Sequence, residues 1–265
     1  MLDVSIKNLV FSYSERETPV LGDINMDVKA GDFVCLLGQS GCGKSTLLRL
    51  LAGLETPSGG TILVGGEPIN GASLQRGVVF QDYGLFPWMT AGDNITIAIK
   101  KRFPRMSKQD RKERALHWMR NVDMDEALFD KLPGELSGGQ KQRCGIARVF
   151  AIDPPVLLMD EPFGSLDAVT KAKLQDLVLR LWAQEKDSRK TIFFVTHEVD
   201  EALLLATHIS VFSQSPASIM YAHSFGDEEH PTRENMHSAP HIIQLRSHLI
   251  KLIHKDTEDR IKASH

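Results

Sequence analysis

The fold is decided by the stretch Gly38-Gln39-Ser40-Gly41-Cys42-Gly43-Lys44-Ser45-Thr46. It fits the pattern G-x-x-x-x-G-K-[ST], in which a loop wraps around a phosphate group. The apolar run 33–37 comes directly before it and is typical of a buried strand, whereas 47–52 is typical of a helix. The pattern requires this order of strand, loop and helix, so the sequence predicts a phosphate-binding site between the two elements.

Each part of this loop has a physical role toward a nucleotide. The glycines place no Cβ in the way of a phosphate, and the helix N-terminus presents N–H groups to its negative charge. Lys44 can reach the β- and γ-phosphates, and the Ser45 hydroxyl can ligate Mg²⁺. The loop alone predicts only nucleotide binding, because kinases, GTPases and many ATPases share it.

The composition limits the kinds of partner and the cellular compartment that we expect for this protein. The chain has 265 residues, a formal net charge of −3 and a sequence pI of about 6.4. Dedicated nucleic-acid binders usually carry a basic excess, so we expect no nucleic-acid partner. The three cysteines, Cys35, Cys42 and Cys144, fit a reducing compartment better than a disulfide framework. Cys42 is either an oxidation-sensitive thiol or a small filler residue in the loop.

The sequence shows no targeting or membrane-spanning segment. Residues 1–7 lack a signal-peptide pattern. No apolar stretch approaches the roughly 18 residues that a transmembrane helix needs. If the protein works at a membrane, other chains must do the spanning.

The hydrophobic pattern changes along the chain. Alternating apolar residues over 2–6 and 24–28 predict an antiparallel sheet. Continuous apolar runs at 156–159 and 192–195, and a further strand at 209–212, alternate with helical segments and predict a mainly parallel sheet. We therefore expect an α/β fold of the P-loop NTPase (RecA-like) class, with a mainly parallel sheet core, an antiparallel β subdomain and an inserted α-helical subdomain.

We expect one nucleotide-binding domain, 1–225, followed by a C-terminal segment, 226–265. The core of the domain is expected in 1–82 and 156–225, with a helical insertion at about 83–155. Ser107 with Asp110 predicts a helix start in the insertion. The C-terminal segment is expected to form a charged linker and a helix from about 240 to 254. Its role, whether regulation, partner contact or packing, is left open.

Two further motifs narrow the class of NTPase. A strand ending in Asp160 fits the second NTPase motif, whose carboxylate holds Mg²⁺, and Glu161 beside it is placed to act as general base on the attacking water. The motif Ser137-Gly138-Gly139-Gln140 precedes a predicted helix, where it is either a glycine turn or a second anion site. With the phosphate-binding loop, in this order and spacing, these motifs resemble the ATP-binding-cassette (ABC) family over roughly residues 3–225.

The resemblance implies a role for individual residues. Tyr13 stacks on adenine, Gln81 contacts Mg²⁺, Asp167 lies in a loop that crosses a dimer interface, and His197 contacts the γ-phosphate. The implied ATP-binding set is Tyr13, Gly38, Gln39, Ser40, Gly41, Cys42, Gly43, Lys44, Ser45, Thr46, Gln81, Ser137, Gly138, Gly139, Gln140 and Asp167. The implied catalytic pair is Glu161 and His197, and the implied Mg²⁺ ligands are Ser45, Gln81 and Asp160.

The mechanism of the family implies partners as well. Residues 137–139 complete the ATP site of a second subunit, so two ATP molecules are sandwiched in a head-to-tail homodimer or in a pair with a similar ATPase. ATP closes the pair, and hydrolysis reopens it. Such a subunit is peripheral at the cytoplasmic face of the inner membrane, where it binds integral-membrane permease subunits.

Residues 80–95 are most similar to importers of the nitrate, sulfonate and taurine type. This implies uptake of a small solute, delivered indirectly by a solute-binding protein. Phe86, Pro87 and Trp88 then lie where a permease docks, or else they belong to the core of the insertion. Two pairs depart from the usual pattern of these importers: Ala91-Gly92 replaces valine–leucine, and Val149-Phe150 replaces alanine–leucine.

Other classes of cassette protein fit less well. A DNA-maintenance ATPase predicts long heptad coiled coils and a basic surface, and neither is visible. A soluble translation factor carries two cassettes, and a non-hydrolysing regulator lacks the base or the switch histidine. An exporter half is an open alternative, although exporters often fuse the cassette to membrane helices.

Overall fold

The computed structural model describes residues 1–14, 18–164, 166–183, 189–226 and 230–263, with side chains as far as residue 256. The described chain divides into two units, one formed by Met1–Ala72 with the chain from Lys190 onward, the other by Ser73–Arg189. Among the helices in these ranges, none has both the length and the apolar content that crossing a membrane requires.

The elements follow one another in chain order. The first unit begins with β1 (Val4–Phe11), β2 (Leu21–Val28), β3 (Phe33–Leu37), α1 (Lys44–Ala52), β4 (Gly59–Val64) and β5 (Glu67–Pro68). The second unit contains β6 (Arg76–Val79), α2 (Ala91–Arg102), α3 (Lys108–Asn121), α4 (Gly138–Phe150), β7 (Val156–Asp160) and α5 (Ala168–Ala183). The first unit resumes with β8 (Thr191–Thr196), α6 (Val199–Leu205), β9 (His208–Phe212), β10 (Ile219–Ser224) and α7 (Pro240–Ala263).

One sheet of the first unit is antiparallel and has the strand order β2-β1-β4-β5. In β1, Val4 and Ile6 are buried, and Val4 pairs with Val28 of β2 and with Val64 of β4. This alternation turns one face of the sheet toward the core. The antiparallel sheet expected from the N-terminal pattern is confirmed.

The other strands of the first unit are mainly parallel. β3 pairs in parallel with β8 on one side and with β9 on the other, and β10 pairs with β9 in antiparallel orientation. Every residue of β3 and β8 is buried, as continuous apolar runs predict for strands covered on both faces. Because parallel strands end at the same edge, the loops after β3 and β8 lie side by side.

The second unit combines a parallel strand pair with helices. In the pair β6 and β7, Val79 lies opposite Met159. Helices α2, α3 and α4 contact one another and bury apolar faces that include Ile95, Ile99, Ala115, Met119, Ile146 and Phe150. The Ser107 Oγ accepts a hydrogen bond from the Asp110 N–H at 3.1 Å, so the predicted helix start is confirmed.

The final helix is longer than the sequence predicted. We expected it to end near residue 254, where the apolar spacing ends, but α7 continues to Ala263 because the charged residues that follow include no glycine or proline. Ile242 and Leu249 of α7 are buried. Arg246 donates two hydrogen bonds, of 2.6 and 3.1 Å, to Asp200 of α6. Helix α7 is therefore fixed to α6.

Candidate functional site

The predicted phosphate-binding loop lies between β3 and α1 and closes around Lys44. The Lys44 Nζ donates hydrogen bonds to the carbonyl oxygens of Gly38 and Gln39, at 2.8 and 2.7 Å. The lysine is only 3% exposed, so these two carbonyls satisfy an ammonium group that would be costly to bury alone. The ammonium group is therefore held inside the loop rather than in solvent.

The glycines of the loop leave room beside the start of α1. Gly41 and Gly43 have φ angles of 82° and 105°, which glycine adopts without strain. A Cβ at Gly41 would meet nothing within 4 Å, whereas one at Gly43 would come within 2.8 Å of Leu21 Cδ2. Helix α1 begins without a side-chain cap and without an acidic residue in its first turn. The loop and the helix N-terminus together fit a phosphate group.

Tyr13 lies beside the first turn of α1. Its Oη is 3.2 Å from Thr46 Oγ1, and its ring meets the ring of Phe11 edge-on with centroids 4.9 Å apart. The residue is 53% exposed. The ring is therefore exposed beside the phosphate-binding loop, and its stacking on adenine stays a prediction.

His197 reaches the same edge of the parallel strands. Thr196 pairs with Leu37, so His197 and Gly38 follow at equivalent positions of neighbouring strands. The Thr196 Oγ1 donates a hydrogen bond of 2.6 Å to Glu201 Oε2, and both groups are buried. This contact fixes the turn that carries His197. Sequence analysis missed both partners, because their bond joins a strand end to the next helix.

A chain of hydrogen bonds connects the loop to α7. The Gln214 Nε2 donates to Gln39 Oε1 at 2.9 Å, and the Gln214 N–H donates to Asp256 Oδ2, also at 2.9 Å. Gln39 belongs to the phosphate-binding loop, so α7 contacts that loop through one intervening residue. Sequence analysis missed Gln214 and Asp256, because neither residue lies in a motif.

Glu161 and Gln81 of the second unit both lie close to Gly164. A Cβ built at Gly164 would be 3.8 Å from Glu161 Oε2 and 3.9 Å from Gln81 Nε2. The φ angle of Glu161 is 41°, a left-handed conformation that is uncommon outside glycine and often found at functional sites. The structure therefore brings together two of the predicted site residues and holds one of them under backbone strain.

Asp160 is the last residue of β7 and is half-buried. In the described ranges, no group of three or more His, Cys, Asp or Glu side chains is arranged to hold a metal ion. The predicted Mg²⁺ ligands are instead a hydroxyl, an amide and a carboxylate, from Ser45, Gln81 and Asp160. Their oxygen atoms are of the kind that Mg²⁺ prefers, so the donor set fits the ion.

Ser137 begins α4 with a capping box. Its Oγ accepts a hydrogen bond from the Gln140 N–H at 3.3 Å, and its own N–H donates to Gln140 Oε1 at 2.8 Å. A Cβ at Gly139 would lie 2.7 Å from Thr170 Cγ2, so glycine is needed there for close packing. The motif forms the expected helix N-terminus, in which Gln140 supports the cap.

Asp167 caps the next helix, α5. Its Oδ1 accepts hydrogen bonds from the N–H groups of Val169 and Thr170, at 3.1 and 3.0 Å. Hydrogen bonds from the side chain and backbone of Thr170, and from the Val169 N–H, lower the pKa of this exposed carboxyl. The ionised carboxylate stabilises the N-terminus of α5.

Cys42 is buried within the loop, with 2% of the residue exposed. Burial raises the pKa of its thiol, and the neighbouring Lys44 offsets this only in part. A thiol with a raised pKa carries little thiolate at neutral pH and is a poor target for oxidation. The structure therefore favours the filler role over the redox role.

An aromatic loop before α2 is held by Asn94. The Asn94 Nδ2 donates to the carbonyl oxygens of Phe86, Met89 and Thr90 at 3.1, 3.1 and 3.0 Å, and its Oδ1 accepts from the Phe86 N–H at 2.8 Å. Trp88 is 71% exposed, and its ring centroid lies 5.7 Å from that of Phe86. Of the two interpretations of Trp88, burial in the core is therefore excluded.

Comparison with known proteins identifies relatives over most of the chain. The family model for ABC transporters matches residues 21–164. The chain is 40% identical over 234 residues to the nitrate import ATP-binding protein NrtD of Synechococcus elongatus, a match that covers 88% of this chain and 84% of that protein. It is 37% identical over 254 residues to the bicarbonate transport ATP-binding protein CmpD of Synechocystis sp., with 95% and 89% covered.

A solved structure shares the fold. It is the dimeric, post-hydrolysis state of an ATP-binding cassette bound to ADP and Pi, and it matches with a TM-score of 0.73 and 31% identity over 83% of this chain and 98% of that one. The predicted P-loop NTPase fold and the predicted ATPase are thereby confirmed. The chain belongs to the ABC transporter family.

Proposed function

We propose that this chain hydrolyses ATP to drive the import of a small inorganic anion, nitrate or bicarbonate. The observation that supports this is the extent of the likeness to nitrate and bicarbonate import subunits. That likeness runs over 234 and 254 residues, well beyond the segment 21–164 matched by the family model. The proposal is narrower than the expectation from the sequence, which also included sulfonates and taurine.

The first unit supplies the residues proposed to bind ATP. The phosphate-binding loop and the N-terminus of α1 take the phosphate groups, and Tyr13 stacks on the adenine ring. Lys44 is already confined within the loop by its bonds to Gly38 and Gln39. When ATP binds, the Lys44 side chain therefore exchanges hydrogen bonds to the loop for hydrogen bonds to phosphate. Because the side chain is already ordered, the entropy cost of this contact is low.

Hydrolysis is assigned to Glu161, with His197 contacting the γ-phosphate. The Glu161 carboxylate accepts a proton from the attacking water as general base. Ser45, Gln81 and Asp160 are the proposed Mg²⁺ ligands, and the ion, when bound, neutralises charge on the phosphate oxygens. The strained backbone of Glu161 supports this assignment, because such strain persists where surrounding structure holds a functional group in place.

The chain works as a dimer alongside a membrane permease, as ABC transporter subunits do. We propose that the dimer is head-to-tail, with residues 137–139 of one protomer completing the ATP site of the other. Phe86 and Trp88 are the proposed contacts to the permease, because they present an exposed aromatic surface on a firmly held loop. The subunit is peripheral at the cytoplasmic face of the inner membrane, and a solute-binding protein delivers the anion.

Purification of the complex from detergent-solubilised membranes of the native host tests this proposal. Mass spectrometry is expected to identify a permease with several membrane spans and a solute-binding protein. Proteoliposomes with this complex should take up isotope-labelled nitrate or bicarbonate only when ATP and the binding protein are both present. Uptake of a sulfonate or taurine alone would contradict the substrate class. Recovery of only soluble or DNA-associated partners would contradict import.

A further inference from the structure

Positive charge is concentrated at the end of α2, in the connection that follows and in the first half of α3. Residues 100–114 contain eight Lys or Arg side chains and two carboxylates, a net charge of +6 in a chain whose net charge is −3. The other 250 residues therefore carry −9. We call the cations of this segment the basic surface: Lys100, Lys101, Arg102, Arg105, Lys108, Arg111, Lys112 and Arg114.

Internal contacts explain only part of this charge. Arg111 and Arg114 donate to the carbonyl oxygens of Met106 and Ala151, at 2.9 and 2.7 Å, and so support the fold. The remaining six cations of the basic surface are exposed. Within the part of the chain that the structure describes, none of the eight forms an ion pair.

The two carboxylates of the segment bond to neutral groups instead. Asp110 accepts from the Ser107 hydroxyl at 2.7 Å, and Glu113 accepts from the Gln109 amide at 2.8 Å. Local charge compensation therefore does not account for the basic surface. Like charges this dense repel one another, so their placement favours an anionic partner.

The basic surface borders a groove of about 830 Å³ between α2 and α3. Its lining combines apolar side chains with four cations of the basic surface and one carboxylate, that of Asp93, so cations outnumber the carboxylate by four to one. The apolar side chains are Met89, Ile97 and Phe129, and the cations are Lys100, Lys108, Arg111 and Lys112. The Lys112 Nζ lies 5.1 Å from the centroid of the Phe129 ring. Apolar groups beneath a cationic rim fit a ligand that is both anionic and partly apolar, as a phospholipid is.

We infer that the basic surface binds the anionic phospholipids of the inner leaflet. The inference rests on the proposed function, which places this chain at a membrane. Charge favours lipid over the permease, because cytoplasmic loops of membrane proteins carry an excess of Lys and Arg and would be repelled. Each cation in contact with an anionic lipid surface strengthens the binding by about fivefold. The contact holds the ATPase against the bilayer beside its permease.

Sedimentation of the full chain with lipid vesicles tests the inference. Vesicles that contain phosphatidylglycerol should bind the chain, vesicles of phosphatidylcholine should not, and salt should weaken the binding. The triple variant Lys100→Gln, Lys101→Gln, Lys108→Gln should bind about 100-fold more weakly, from about fivefold per cation. A control variant, Lys7→Gln, Lys29→Gln, Lys251→Gln, removes three equally exposed charges elsewhere and should bind as the wild type does.

Three outcomes would overturn the inference: equal binding to both kinds of vesicle, equal weakening in both triple variants, or normal vesicle binding by the first variant, whether or not it still co-purifies with the permease. Normal vesicle binding together with failure to co-purify would assign the surface to the permease. ATP hydrolysis of the wild type, measured in parallel, separates this test from the proposed function. A wild type without ATPase activity would contradict that function, whatever the vesicles show.

Discussion

The Glu161 carboxylate and the Gln81 amide converge on Gly164, where an added Cβ would lie 3.8 Å from Glu161 Oε2 and 3.9 Å from Gln81 Nε2. Gln81 is followed within a few residues by the loop that exposes Phe86 and Trp88. Gln81 is therefore close to the proposed general base in space and precedes the proposed permease contact in the chain.

Glu161→Gln should bind ATP and hydrolyse it about 10²–10⁴-fold more slowly, because the amide cannot accept the proton from water. The substitution keeps the size of the side chain, so its fold should be unchanged. The variant should accumulate as a closed dimer with ATP, which size-exclusion chromatography measures. Glu67→Gln, an exposed carboxylate in β5, is the control and should turn over normally. Near-normal turnover by Glu161→Gln would remove the base assignment.

Lys44→Ala should weaken ATP binding by about 10–100-fold, the loss expected for a hydrogen bond to a charged group. Calorimetric titration with ATP measures this affinity. Lys29→Ala removes an exposed lysine between β2 and β3 and should leave the affinity unchanged. Equal affinities for both variants would mean that Lys44 only closes the loop through Gly38 and Gln39.

Gly92→Leu should lower the free energy of unfolding by about 1–3 kcal/mol or more, because it overfills a packed site. A Cβ at Gly92 would come within 2.3 Å of the Phe129 ring, which gives a steric reason for the unusual Ala91-Gly92 pair. Chemical denaturation measures the change. Gly134→Ala, at a position with open space, is the neutral control.

The double variant Gly92→Leu, Phe129→Ala separates this packing from a general effect of leucine. Removing the ring makes room for the new side chain. The double variant should therefore lose less stability than the sum of the losses in the two single variants. Simple additivity would show that the two residues do not compete for the same space.

Local rules predicted much of the candidate site. Gly41 and Gly43 have the backbone angles that the loop motif requires, and Ser137 and Ser107 cap the helices that their sequences predict. These features depend on neighbours a few residues apart, and such spacing is visible in a sequence. Continuous and alternating apolar runs likewise distinguished the parallel strands from the antiparallel ones.

The same rules could not predict contacts between residues far apart in the sequence. The bond between Gln214 and Gln39 joins residues 175 positions apart, and the ring that excludes a side chain at Gly92 lies on a different element. Such contacts depend on how distant elements meet in the fold, which no local pattern encodes.

Trp88→Ala should leave folding and the ATPase activity of the isolated chain unchanged, because the residue is 71% exposed and surface substitutions usually change stability by about 0.5 kcal/mol or less. In the assembled transporter it should lower ATP-driven anion uptake. Leu132→Ala removes another exposed apolar residue, 43% exposed, and should not affect uptake. A clear fall in melting temperature for Trp88→Ala would instead indicate a structural role.

Asp256→Ala should weaken ATP binding several-fold, although α7 itself contains no nucleotide motif. Asp256 holds the backbone of Gln214, whose side chain holds Gln39 in the phosphate-binding loop, so the loss frees the loop from α7.

Asp256→Asn keeps an oxygen acceptor and should restore most of the affinity, whereas Lys255→Ala should have no effect. Gln214→Ala combined with Asp256→Ala should lose little more than either change alone, because the two residues act in series. Unchanged ATP affinity in Asp256→Ala would show that α7 does not act on the loop.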